Sequence, residues 1–141
     1  MSRIIVHTHG KIKNKSVKLL ISSYLERITS ESVKLIHHSE GLSPKDYLQK
    51  LIKNSEKGEL ILLDERGTTL NSMSFANLLK SWKLNPKKVH LAIGPATGFP
   101  KNNFEKISLS NLTLPNEIAS MILIEQIYRS IQIIKGTKYH K

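Results

Sequence analysis

The sequence contains no cysteine. That excludes disulfide bridges, thiolate metal sites and cysteine nucleophiles, and it suits a cytoplasmic setting. No run of about 18 uncharged apolar residues occurs, so no transmembrane span is expected. The opening "MSRIIVHTHG" lacks the apolar core of a signal peptide and reads as a first strand. Aromatic residues are few, at 6%, while the hydrophobic fraction of 39% is ordinary for a globular chain. Acidic residues are in short supply: 11 Asp and Glu stand against 22 Lys and Arg, for a net charge of +11. Such an excess points to a polyanionic partner, because neutralising phosphates releases counterions and drives nucleic-acid binding. The lysines run from Lys11 to Lys141 without a tail-like block, which favours a folded basic surface over a disordered arm.

What is present is a regular alternation of strand and helix patterns. "RIIVH", "VKLIHH", "ELILLD" and "VHLAI" are short, β-branched and apolar. Between them Val17, Leu20, Ile21, Tyr24, Leu25 and Ile28 recur at helical spacing. Ser43 is a good N-cap with Pro44 at the first helical position, and Phe75 to Trp82 carries a third helical pattern. Gly136 is placed to end a last helix that starts near Pro115. Strands alternating with helices predict an α/β fold with a parallel sheet covered on both faces. At 141 residues, with no repeat and no linker, residues 1–141 are expected to form one domain. The last helix, "EIASMILIEQIYRSIQII", is apolar on nearly every side and needs cover on every side, which predicts a second subunit against it, the alternative being a central helix fully buried within one subunit.

Four local patterns bear on chemistry. "LLDERG" is an apolar strand that ends in charge; Asp64 and Glu65 either meet a ligand at the strand end or open a solvated turn. "LAIGPATGFP" stops a buried strand at Gly94-Pro95 and adds Gly98, and glycine lets a backbone approach a ligand closely. "SLSNLTLP" alternates small polar and apolar residues before a helix. "GTKYHK" puts a ring, an imidazole and an ammonium after the glycine stop: groups suited to a base and a phosphate, or a frayed terminus. The histidines do not make a metal site on paper. His7 and His9 share a strand face, His37 and His38 point to opposite faces, and His90 is expected at solvent or a helix edge. Two histidines do not close a zinc site, so no metal is expected.

Taken in order, "LLDERG", "AIGPATG", "SLSNLTLP", "LIEQIYRSIQIIKG" and the terminal "YHK" resemble the RlmH family, bacterial methyltransferases of the SPOUT class. The match is tightest from Leu62 to Lys141, and the ending is its most specific part. The resemblance implies a parallel-sheet SPOUT fold with a C-terminal trefoil knot and helices on both faces. It implies a homodimer through the C-terminal helix, with S-adenosyl-L-methionine as cofactor. The reaction it implies is methylation of N3 of a pseudouridine in helix 69 of 23S ribosomal RNA, on the assembled ribosome. Carried over residue by residue, Leu63, Gly94, Pro95, Gly98, Leu109, Ser110, Asn111, Leu112, Thr113 and Leu114 are the implied cofactor contacts. Arg129, Tyr139 and His140 are the implied catalytic group, with Lys141 beside them. No carboxylate in these motifs is an obvious base. Arg129, His140 and Lys141 can stabilise charge growing on the carbonyl oxygens that flank N3, or neutral His140 can take the proton.

The family usually reads Gly-Gly where this chain has Gly94-Pro95. Proline lacks a backbone N–H and fixes φ. That departure supports a second reading, a non-catalytic RNA-binding or ribosome-associated paralogue with the SPOUT fold. A third, a nucleotide-binding enzyme unrelated to RNA, has the basic charge and the missing phosphate-loop motif against it.

Overall fold

The computed structural model describes residues 3–140. Its strands β1 (Ile4–His9), β2 (Val33–His38), β3 (Glu59–Thr69), β4 (Val89–Ile93) and β5 (Glu105–Ser108) form one sheet in the order β2-β1-β4-β3-β5. Every pairing is parallel. Helices α1 (Lys15–Arg27), α2 (Pro44–Asn54), α3 (Ser72–Leu84) and α4 (Asn116–Lys135) cover both faces. Their starts follow from local chemistry. The Asn14 side chain accepts from the Ser16 and Val17 N–H groups, Ser43 caps α2 ahead of Pro44, and Asn71 and Ser74 form a reciprocal capping box on α3. At the other end of the chain Gly136 adopts φ +74° and stops α4 as expected.

Strand alternation sorts the core into two layers. Ile4, Val6, Leu91, Ile61 and Ile107 face α1, α3 and α4. Leu60, Leu62 and Ala92 face the other way, against Tyr47, Leu48 and Leu51 of α2. Helix α4 lies between α1 and α3 and turns Leu123, Ile124, Ile127 and Ile131 into the first layer. A row of its residues at helical spacing, Ile118, Ile122, Glu125, Arg129 and Ile133, is only half-buried. The all-round apolar helix therefore has one face in its own core and one face only partly covered.

Two expectations are corrected. Strand β3 does not stop at Asp64 but continues to Thr69, because it pairs with β5 in two stretches. Ile107 meets Leu63 in the first and Thr68 in the second, so residues 64–67 bulge out between them. Gly67 makes the bulge possible: a Cβ there would stand 2.5 Å from the carbonyl carbon of Lys106. Nor does His90 face solvent. It is 5% exposed, and its Nδ1 lies 2.8 Å from Nε2 of His7, a residue 83 positions away. Two imidazoles that satisfy each other can be buried where one alone could not.

Candidate functional site

The bulge of β3, the carboxyl end of β4 and the segment after β5 converge on one cavity. Leu63, the last residue of β3 before its bulge, and Ile93, the last of β4, stand at its wall, the loop from Gly94 to Phe99 forms one rim, and Ser108 to Leu114 forms the other. Gly98 takes φ +87°, a left-handed conformation that favours glycine, and a Cβ built on it meets no protein atom within 4 Å. Its N–H donates to the Pro95 carbonyl at 2.8 Å, closing a four-residue turn. The turn uses the carbonyl of Pro95 and not an N–H, so the loop accommodates proline at this position. Gly94 serves a different purpose. A Cβ there would sit 3.1 Å from the Phe99 ring, so its absence lets that ring close the loop.

Side chains tie the rims together. The Thr113 hydroxyl donates to Glu65 Oε2 at 2.8 Å, and Arg66 Nη2 donates to the Phe99 carbonyl at 3.3 Å. Arg66 also grips both carboxylate oxygens of Asp64 and holds that carboxyl below its usual range. The Ser108 hydroxyl donates to the Ser110 carbonyl, and the Ser110 Oγ accepts from the Leu112 N–H. Asp64 and Glu65 line the cavity, and each is bonded within the bulge or across it, in a strand that bulges and continues instead of opening a turn.

Nine of the ten residues expected to contact a cofactor line this cavity. Asn111 does not; it faces away, with its Oδ1 accepting from the Thr69 hydroxyl at 3.3 Å. Sequence reasoning missed Phe99, Asn116 and Ala119, which complete the wall. The position of Phe99, one residue past the glycine loop, was the available signal.

Arg129, Tyr139 and His140 form a second cluster. Glu125 accepts from Arg129 Nη2 at 2.9 Å and from the Tyr139 hydroxyl at 2.9 Å. The guanidinium lies over the Tyr139 ring, 4.9 Å from its centre, and Tyr128 meets that ring edge-on. Desolvation first, then the bonds to Tyr24 and Glu125, raises the Tyr139 phenol well above its usual range, so it remains a donor. Arg129 Nη1 lies 3.0 Å from His140 Nδ1. A guanidinium can only donate, so Nδ1 accepts and the imidazole proton sits on Nε2. Tyr139 and His140 are folded back onto α4 rather than frayed; Lys141 lies outside the described residues. None of the three lines the cavity. Ala119, at the cavity, and Arg129 are ten residues apart on one helix, about 15 Å along its axis.

Among the described residues no group of three or more His, Asp or Glu could hold a metal ion. None of the described helices is long and apolar enough to cross a membrane.

Residues 2–140 match a family model described as a predicted SPOUT methyltransferase. The chain is 36% identical to a ribosomal RNA large subunit methyltransferase H from Thermodesulfovibrio yellowstonii, over 99% of both chains. It is 33% identical to the protein of that name from Malacoplasma penetrans, again over 99% of both. With the one from Prochlorococcus marinus strain NATL2A it shares 38% identity, over 94% of this chain and 91% of the relative.

Proposed function

The chain belongs to the SPOUT methyltransferase family, and from that membership we propose that it is an S-adenosylmethionine-dependent methyltransferase of large-subunit ribosomal RNA. The finer reading is methylation of N3 of a pseudouridine in helix 69, on the assembled ribosome, by a homodimer. One observation carries the proposal: nine residues from three separate stretches, carried over from the family as cofactor contacts, meet in one cavity at the strand ends.

The residues suit the cofactor. Leu63, Ile93, Leu109 and Leu114 offer an apolar wall for a purine, and Asp64 and Glu65 bring negative charge to the rim. At Gly98 a side chain would take up space that the backbone leaves open. When bound, the cofactor supplies an activated methyl group on a sulfonium. The chain's own task is to align the target nitrogen with it and to manage one proton, and alignment contributes up to about 7–11 kcal/mol in well-oriented models.

His140 is better placed to donate a hydrogen bond than to accept the N3 proton, which passes to solvent water. Its Nδ1 is taken by Arg129, and its Nε2–H is free to bond a carbonyl oxygen beside N3 as negative charge grows there. Arg129, held by Glu125, adds a fixed positive charge to the same cluster. Since this cluster lies away from the cavity of its own chain, the reading requires the tail of one subunit to serve the cavity of the other. The half-buried row on α4 is the surface through which two copies would meet.

Calorimetric titration with S-adenosylmethionine, followed by methyl transfer to ribosomes lacking the modification, tests the reading. Saturable heat and transfer to large-subunit RNA are expected. Absence of both heat and thermal shift at saturating cofactor would favour the non-catalytic RNA-binding paralogue.

A further inference from the structure

The face of the sheet beneath α2 carries a layer of rings that cofactor binding as described above does not use. His7 sits at its centre. Its Nδ1 lies 2.8 Å from His38 Nε2, and its Nε2 lies 2.8 Å from His90 Nδ1. The rings are close to parallel, with centroids 5.0 and 5.1 Å apart. At the His38 end the layer continues into Tyr47 of α2: His38 meets the phenol ring edge-on at 5.6 Å, and His9 stacks on it at 4.7 Å. Tyr47 in turn stacks on Phe99, with centroids 5.9 Å apart and planes 12° from parallel. Phe99 is a wall of the cavity. Rings therefore run without a break from the start of β4 to the candidate cofactor site.

Tyr47 is fully buried, at 0% exposure, and its hydroxyl donates to the Ile93 carbonyl at 2.7 Å. The β1–β4 ladder ends at the His7–Ala92 pair, so Ile93 is the first residue of β4 beyond it and the last before Gly94. One side chain thus holds both ends of the cavity loop. Its hydroxyl takes the carbonyl at the root, and its ring supports Phe99 at the exit. His9 and His38 fix the ring from two other sides. A loop held at both ends has less freedom to lose when a ligand orders it, and that preorganisation favours binding.

We propose that Tyr47 is the positioning residue of the loop from Gly94 to Gly98, holding it in the conformation that receives the cofactor. The proposal rests on reading this cavity as the S-adenosylmethionine site.

The test uses the full chain carrying Tyr47→Phe, which keeps the ring and deletes the bond to Ile93. Two quantities are measured: amide exchange at Gly94, Ala96, Thr97 and Gly98 in the free protein, and the calorimetric Kd for S-adenosylmethionine. Loss of one buried hydrogen bond is expected to speed loop exchange and to raise Kd by about 5–10-fold. Phe99→Leu, which removes the other contact and leaves the hydroxyl bond, should speed loop exchange the same way and serves, by exchange alone, if the first variant folds poorly, because Phe99 itself lines the cavity. Wild-type exchange in both variants and a wild-type Kd in Tyr47→Phe, with only a lower Tm, would reduce Tyr47 to a structural residue and overturn the proposal. If the wild-type protein shows no heat with the cofactor, the methyltransferase reading fails, and loop exchange alone decides whether Tyr47 holds the loop.

Discussion

At the scale of single residues, His140 and Gly98 separate chemistry from scaffold. The Arg129 guanidinium fixes the His140 tautomer, leaving an Nε2–H as a donor. His140→Ala is therefore expected to cut methyl transfer by about 10²–10³-fold, the usual effect of removing a donor aimed at developing negative charge. Affinity for ribosomes should barely change, and His140→Gln, which retains a donor, should recover part of the rate. Single-turnover rates across a range of ribosome concentrations check this. A rate fully restored by saturating ribosomes would assign His140 to docking instead. Gly98 is a different case. Its φ of +87° means that any side chain there costs about 1–3 kcal/mol of backbone strain, besides intruding on the cavity. Gly98→Val should lower the melting temperature of the free protein and abolish the thermal shift with S-adenosylmethionine. A variant that keeps the full shift would show that the cofactor does not approach this turn.

At the scale of elements, the imidazole layer on β1, β2 and β4 makes stability depend on pH. Burial first, and then the neighbouring His90 and His38, lowers His7 from the usual 6.5 to about 3. Burial likewise lowers His38, with Lys50, His9 and His37 adding to it, and lowers His90, with Lys88 adding to it. The unfolded chain takes up protons at the ordinary imidazole value while the folded chain resists them. Stability is thus complete above about pH 6.5 and falls as the pH drops toward 3. The lowered carboxyls of Asp64 and Glu31 act in a more acidic window, below their ordinary values of 3.8 and 4.5. Urea midpoints measured from pH 7.5 to 5 should therefore decline, and more steeply in wild type than in His7→Phe. A flat profile over that range would mean that the layer is hydrated or already protonated. This layer also marks where reading the sequence reached its limit. Strand and helix periodicity revealed the alternation, the caps and the stop at Gly136, because those signals are local. The burial of His90 depended on a partner 83 positions away, and the extension of β3 on a strand that follows it by 36 residues. The cavity's full lining was legible only through resemblance, since the alternation in "SLSNLTLP" and the strand-end glycines hint at a ligand without saying which stretches meet around it.

At the scale of the whole molecule, the question is whether two copies complete the site. On α4, Ile127 and Ile131 face the protein's own core, 0% and 2% exposed, so a charge at either would unfold the subunit rather than report on association. Ile122 lies on the half-buried row and is the informative position. Ile122→Glu is expected to give a folded monomer by sedimentation and to abolish transfer. A complementation experiment then asks which subunit supplies the tail. Gly98→Val disables the cavity, and His140→Ala disables the tail. If the tail acts within its own chain, a heterodimer of the two has no intact site, and mixing restores nothing. If it acts across the interface, each heterodimer has one complete site: the cavity of the His140→Ala subunit with the tail of the Gly98→Val subunit. Random exchange of equal amounts makes half the dimers mixed, so about a quarter of the wild-type rate should return. The spacing along α4 between Ala119 at the cavity and Arg129 at the tail cluster favours the second outcome, and the mixed sample's rate after subunit exchange distinguishes the two.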